Sequence, residues 1–424
     1  MIYQFLRSSF HMLHVLAKRN ITFFLIARLV LELAKKISWI AIAWFVYQLT
    51  NSASAIGFVI TAATISPLIS SVFAGVVLDQ FNRRTLMVVE NGLRGMFLLL
   101  IPLLYWGDLL MFSSIVIIIF LNGFLSAFTD IGSTTILPAF VAKEELESAN
   151  AMLAITGQSG YLIGPAIGGF LSGFLGAPIT LIITVVLFLL ASFLYFLIPN
   201  EIFHQDMTQQ DYTLSWKEKI AKIKEDTKEG FAFLKKHRIL IVIASVTLVF
   251  NVTYAPLEPV LPVFVGKNVN GGPSTLGLIW TVFAVGALIG SFIWVRLKMD
   301  VYYSYSLGVV ISLWGIAPVI MSQFTNETII YIIMFFGGVV YAPYNIVEPT
   351  LEQQLVPDKI RGRVLGVLGM IAGIGFPVGT FLGGLLGEFI GPSLTIFLSG
   401  MFTIVLGVFV FRDKSLRLTP RDVN

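Results

Sequence analysis

Four carboxylates stand inside long apolar stretches of this chain: Glu32, Asp130, Glu258 and Glu348. An ionisable side chain at membrane depth is costly, so it usually serves an ion or substrate path. The chemistry open to such groups is proton binding and release, or capture of a cation. Glu258 lies between Pro256 and Pro259, and Glu348 is followed by Pro349. Freed backbone groups are therefore expected beside each, as in discontinuous helices that bind ions or substrate. The plain alternative is a carboxylate paired permanently with an interior base. Asp108 and Glu388 read as loop or boundary groups.

The bases nearest these acids are Arg28, Lys35 and Lys36, which share one stretch with Glu32. Helical spacing puts Arg28, Glu32 and Lys36 on a stripe that cannot face lipid. Glu32 neutralises one base, and at least one lysine needs another anion: Asp130, Glu258 or a bound molecule. Such a stripe tolerates anionic or zwitterionic molecules better than a lone acid would. Arg94 follows Glu90 by one turn, as an intrahelical ion pair would place it, and Asn122 in FLNGFLSAF is, with Arg28, Lys35 and Lys36, a candidate to line a substrate cavity. Trp39, Tyr254, Tyr341 and Tyr344 are candidates for an adaptable apolar wall, although membrane aromatics commonly serve packing or interface anchoring.

Other chemistries are excluded by what is missing. There is no cysteine, so thiol redox and thiolate metal sites drop out. His11, His14, His204 and His237 lie at the N-terminus and around a central polar stretch, so no metal centre is expected. No Gly-x-x-x-x-Gly-Lys loop is present, so direct ATP drive is unsupported, and no cofactor is implied.

The elements that must position these groups follow from composition. Of 424 residues, 56% are apolar and 12% charged, and the mean hydropathy is +0.87. That is too little polar surface for a water-soluble globule. At roughly 30–40 residues per crossing, the length allows about 12 spanning helices, and twelve apolar stretches can be read between residues 20 and 411. Apart from Arg28, Lys35, Lys36 and Arg94 inside them, the 28 Lys and Arg fall in alternate gaps and at the ends, with Lys267 alone on the other side. Both termini and the central loop are therefore expected in the cytoplasm. Residues 200–238 divide two six-helix bundles, 1–199 and 239–411, and 412–424 form a tail. Trp216, Ile220, Ile223, Phe231 and Leu234 recur among lysines at helical spacing, as in an amphipathic helix on a leaflet or a solvated linker helix. FLSGFLG at 170–176 and FLGGLLG at 381–387 suggest two parallel repeats offset by 211 residues.

Two motifs add to this. GVVLDQFNRR places Gly75, Asp79, Arg83 and Arg84 around a tight turn after the second span. A glycine permits close helix approach, and an acid at a boundary can accept from a neighbouring helix N-terminus, which would latch one state of a rocking protein. Positive-inside anchoring is the alternative. On the fifth span, GYLIGPAIGG carries Gly160, Gly164, Pro165, Gly168 and Gly169, where glycines permit backbone contact and proline permits bending, or simply pack.

The first segment resembles the signature loop of the major facilitator superfamily, with Gln80 where a base is usual and Asn82 where glycine is usual. The second is similar to the antiporter motif of proton-driven exporters. With KEGFAFLKKHR before span seven and RGRVLGVLG opening span eleven, the chain resembles the macrolide-efflux branch over essentially its whole length. The fourth-span arginine of that pattern is replaced by Asn122, with Arg94 as a stand-in. The resemblance implies an all-α membrane protein of two pseudo-symmetric six-helix bundles in the bacterial plasma membrane. It implies a non-enzymatic secondary exporter of a drug-like or amphiphilic small molecule, driven by inward protons, with Gly75, Asp79, Arg83, Arg84 and Arg94 as a conformational latch. An exporter of an anionic metabolite or siderophore, and a lipid flippase, are the rival readings. A monomer without nucleic-acid partners is expected.

Overall fold

The computed structural model describes residues 18–78, 80–204, 216–297 and 301–419. Among the described residues there is no strand. Six long helices come first: α1 (Arg19–Thr50), α2 (Ala53–Leu78), α3 (Arg83–Trp106), α4 (Phe112–Ile136), α5 (Leu146–Phe174) and α6 (Ala177–Phe196). The central stretch carries α7 (Trp216–Lys236). Then come α8 (Arg238–Tyr254) and α9 (Leu257–Phe264), one crossing broken at Ala255 and Pro256, and α10 (Pro273–Leu297) and α11 (Tyr303–Met321). Another broken crossing, α12 (Glu327–Tyr341) and α13 (Tyr344–Leu355), precedes α14 (Arg361–Phe389) and α15 (Pro392–Arg412).

Among the described residues ten crossings, with each broken helix counted once, are long and apolar enough to span a bilayer. The two that complete the expected twelve, α1 and α5, are 32 and 29 residues long and miss that standard by composition. Charges interrupt α1, and glycines with Asn150 and Gln158 dilute α5. These two helices shield one another. A Cβ placed on Gly160 would lie 2.8 Å from Cβ of Glu32, one on Gly168 would lie 2.9 Å from the Ile37 carbonyl oxygen, and Gly164 is pressed against Lys36. Large rings elsewhere face outward, Phe174 being 77% exposed and Phe409 70%, as a lipid-facing surface requires.

The chain divides into two compact units. The first holds the described residues up to Ile42 and from Ile65 to Lys219; the second holds Ala43–Thr64 and the described residues from Ile220 onward. The end of α1 and the start of α2 therefore pack with the C-terminal helices. Gly57 meets Gly384 backbone to backbone, Thr61 and Thr380 hydroxyls are 3.0 Å apart, and Ser52 donates to Glu388 at 2.7 Å. Also within the second unit, α7 is docked on the start of α14. Arg363 Nε lies 2.7 Å from Asp226 Oδ1, its guanidinium also pairs with Glu229, and Gly230 sits against Val367. On α7 Leu234 is buried, whereas Phe231 is exposed.

A repeat is visible, in a register one helical turn away from the one read from the short strings. Gly176 and Gly391 both adopt φ of 83°, ahead of α6 and α15, a conformation open essentially to glycine alone. Each carbonyl accepts a hydroxyl one turn on, from Thr180 at 3.0 Å and Thr395 at 2.8 Å. At this offset of 215, Gly160, Gly164, Gly168 and Gly169 fall on Gly375, Gly379, Gly383 and Gly384. Gly/Leu strings recur every turn, so a string match slips by four residues without penalty. The C-terminal glycines pack α14 on the α8–α9 crossing, where Gly375 meets the Leu248 carbonyl and Gly379 lies against Ala255.

Candidate functional site

In the first unit, the charges of α1 close on α4. Arg28 lies 2.8 Å from Glu32 Oε1 and 3.1 Å from Asp130 Oδ1. Lys35 Nζ bridges the same pair of acids, 3.1 Å from Glu32 Oε1, 2.9 Å from Asp130 Oδ1 and 3.2 Å from Asp130 Oδ2. Two bases and two acids thus form a neutral ring of ion pairs, with Glu32 buried. Removing one partner from such a buried set leaves a charge uncompensated, which costs about 3–5 kcal/mol.

Lys36 stands outside the ring. Its ammonium lies 3.5 Å from the centroid of the Tyr161 ring on α5, and no described carboxylate is within ion-pair distance. With Tyr161 56% exposed, the cation–π contact contributes about 0.5–1 kcal/mol. A lysine at the centre of a spanning helix costs about 2.5–3.5 kcal/mol, so the Tyr161 ring offsets only a minor part of that cost.

Behind the ring, α3 and α4 share a second polar knot. Arg94 Nη1 lies 3.2 Å from Glu90 Oε1, and the Asn91 amide donates to Glu90 Oε2 at 3.0 Å and to the Thr129 hydroxyl at 3.0 Å. Thr129 also donates to Glu90, and Arg94 stacks over Phe188 of α6 with its guanidinium carbon 4.7 Å from the centroid. The Asn122 amide donates to the Arg94 carbonyl at 3.1 Å. Arg94 is therefore spent on Glu90, and Asn122, expected to face a cavity, is spent on Arg94. Consecutive residues Thr129 and Asp130 serve the two polar groups on neighbouring helix faces.

The second unit answers differently. Glu348 of α13 accepts from the Thr247 hydroxyl at 3.1 Å, and Tyr344 donates to that hydroxyl at 2.8 Å. Glu352 follows one turn later, and no described base lies within ion-pair distance of either acid. Around Tyr344 the rings cluster on Tyr341, which has Phe250, Phe283 and Trp314 at 6.1, 5.6 and 5.5 Å between centroids. Tyr254 and Tyr344 complete it at 6.4 and 6.2 Å. Tyr254, Tyr341 and Tyr344 are thus brought together as one wall. The break near Glu348 falls at Ala342 and Pro343, while Pro349 sits within α13. Pro349, the sixth of the twelve residues of α13, forgoes the one hydrogen bond its nitrogen would give to the carbonyl four residues back. The break before Glu258 does fall at Pro256, which places Glu258 in the first turn of α9, where the helix dipole favours an anion.

The remaining expected residues are scattered. Gly75 is exposed and a Cβ there would meet nothing within 4 Å, so the close helix approach anticipated for it is not made in this conformation. Asp79, His11 and His14 lie outside the described residues. Arg84 stacks over Phe196 at 4.9 Å and donates to its carbonyl, while Arg83 opens α3 beside the Asn82 cap, which accepts from Thr85 N at 3.0 Å. Pro165 and Gly169 are buried within α5, and Trp39 is partly buried on α1. His237 stacks on Phe233 at 3.9 Å. Among the described residues no cluster of three or more metal-ligating side chains occurs. A groove of about 400 Å³ in the second unit, lined by Val252, Leu386 and the outward-facing Phe402 and Phe409 among others, has no charged lining. Sequence reasoning missed Tyr161 and Thr247. Tyr161 could have been found one residue after Gly160, in the glycine motif itself.

The chain matches the transmembrane secretion effector family over residues 12–422 and belongs to that family, a branch of the major facilitator superfamily. It is 25% identical over 399 residues to the multidrug efflux pump Tap of Mycobacterium tuberculosis, covering 93% of each chain. It is also 25% identical over 415 residues to the staphyloferrin A transporter of Staphylococcus aureus, covering 95% of this chain and 98% of that one. Among solved structures, a bacterial homologue of the lysosomal transporter Spinster superposes with a TM-score of 0.72 at 12% identity over 95% of this chain and 99% of that one. The xylose transporter XylE from E. coli gives 0.68 at 10% identity, covering 94% and 96%. The fold is therefore that of major facilitator transporters, and the chain is a multi-pass membrane transporter of small molecules, not an enzyme.

Proposed function

We propose that this protein is a secondary exporter that moves a drug-like, amphiphilic molecule out of a bacterial cell against inward-moving protons. The observation that carries the proposal is Glu348, an interior acid that accepts from the Thr247 hydroxyl, itself backed by the Tyr344 hydroxyl, beside the ring wall around Tyr341. A hydroxyl can donate to a carboxylate and accept from a carboxylic acid, so Glu348 keeps a partner in both protonation states. Proton uptake by Glu32 or Asp130 would instead break ion pairs with Arg28 and Lys35. Those two acids are secondary coupling candidates that act only when a base is released, and Glu258, in the first turn of α9, is a third candidate.

Coupling arises when cargo and proton compete for the same acid, since a ligand shifts an equilibrium only by its differential affinity for the two states. The rings at Tyr254, Tyr341 and Tyr344 offer an apolar surface with hydroxyl tips, suited to amphiphiles of varied shape. The name of the mycobacterial relative, a multidrug efflux pump, agrees with such a cargo. The alternation of basic residues supports cytoplasmic termini in the plasma membrane, two six-helix halves at 1–199 and 239–411 joined by 200–238, and a tail at 412–424. Gly75, Asp79, Arg83 and Arg84 form the latch of a conformation other than the one described, since Gly75 is unpacked here.

The test is export of ethidium from proteoliposomes under an imposed pH gradient. Wild type moves the dye faster with the gradient than without it. Glu348→Gln loses the gradient effect while still exchanging dye at equilibrium. Full gradient-driven export by Glu348→Gln removes the assignment.

A further inference from the structure

The interior positions of the first unit carry four bases, Arg28, Lys35, Lys36 and Arg94, against three acids, Glu32, Glu90 and Asp130. Every acid is engaged: Glu32 and Asp130 by Arg28 and Lys35, and Glu90 by Arg94. Among the described interior residues of this unit the unmatched charge is Lys36, which lies within one turn of the midpoint of α1 and so near the centre of a bilayer crossing. It cannot reach a headgroup from there without uncoiling the helix. Its Cβ is fixed on Gly164, and its ammonium rests over the ring of Tyr161, a residue that is 56% exposed. A cation–π pair leaves ammonium protons on the far side of the nitrogen unoccupied, and the Tyr161 hydroxyl adds a donor beside them.

We infer that Lys36 and Tyr161 form a subsite for a carboxylate carried by the exported molecule. The cargo class then includes amphiphiles that bear a carboxylate beside their apolar or cationic part, whose arrival completes the charge balance of the first unit. Lys35, adjacent in sequence, takes no part, because both of its partners are protein carboxylates. This inference rests on the exporter reading for its word cargo, but the binding it describes is measurable without transport.

The probes are rhodamine 110, which has a free carboxylate, and rhodamine 123, its methyl ester. Binding is read by fluorescence polarisation to the full-length protein in phosphatidylcholine nanodiscs, where no anionic lipid competes. Wild type binds the acid more tightly than the ester. Lys36→Ala, which keeps the Cβ packed on Gly164, weakens the acid by about tenfold, as loss of one charge-assisted hydrogen bond does, and leaves the ester nearly unchanged. Lys36→Arg keeps the preference for the acid, which a purely structural role for Lys36 would not require. Equal affinity for the two dyes, no binding of the acid, or parallel loss of both dyes in Lys36→Ala overturns the subsite. In proteoliposomes, wild type moving neither dye under a pH gradient overturns the exporter reading alone and leaves the binding result to decide Lys36.

Discussion

Helices α1 and α5 in one unit, and α8 with α14 in the other, are packed by the same ladder of glycines, yet only the first pair is loaded with charge. Gly160 and Gly164 press on Glu32 and Lys36, whereas Gly375 and Gly379 press on the Leu248 carbonyl and Ala255. The glycines are therefore a packing device common to both halves, and the ladder on α5 does not by itself mark exporter chemistry. What distinguishes the halves is where their acids find partners. In the first unit bases hold them; in the second, Glu348 has a threonine and, behind it, a tyrosine. One arrangement fixes a conformation, and the other can hold a proton.

The largest effect should come from opening the ion ring. Arg28→Ala leaves Glu32 and Asp130 sharing Lys35, and chemical unfolding in detergent should show a loss of about 3–5 kcal/mol. The double change Arg28→Met with Glu32→Met should recover most of it, and a single variant as stable as wild type would show the ring to be ornamental. Next come the ladders. Gly160→Val and Gly375→Val should each lose about 1–3 kcal/mol by overpacking, while Gly75→Val, facing open space, should stay within about 0.5 kcal/mol. Unequal losses at the two ladder positions would break the equivalence of the halves. The smallest effect is Tyr344→Phe, which removes the donor to Thr247 and should cost about 0.5–1.5 kcal/mol, read as a small drop in melting temperature. No change would detach Tyr344 from the Glu348 chain.

Much of this was legible in the sequence. Apolar length and the placement of bases gave the crossings, because a bilayer punishes polar backbone and stray charge. The stripe Arg28, Glu32 and Lys36 announced that α1 faces protein, and Asp130 was already among the anions needed to balance it. Which lysine Asp130 would take was not legible, since adjacent Lys35 and Lys36 differ by 100° around a helix and only the position of α4 selects one. Glu348 was legible as an acid in an apolar stretch beside Pro349; the break at Pro343 and the hydroxyl of Thr247, about 100 residues away, are tertiary facts that no local spacing encodes. The repeat register slipped by a turn for the opposite reason, that glycine and leucine recur too regularly to fix a phase.

The most direct measurement is dye-triggered proton uptake, recorded with an internal pH indicator in proteoliposomes containing wild type, Asp130→Asn or Glu348→Gln. Proton movement should accompany ethidium export in wild type and vanish in Glu348→Gln while dye exchange persists. Undiminished proton uptake in Glu348→Gln, with complete loss in a well-folded Asp130→Asn, would contradict the division of labour between the two units.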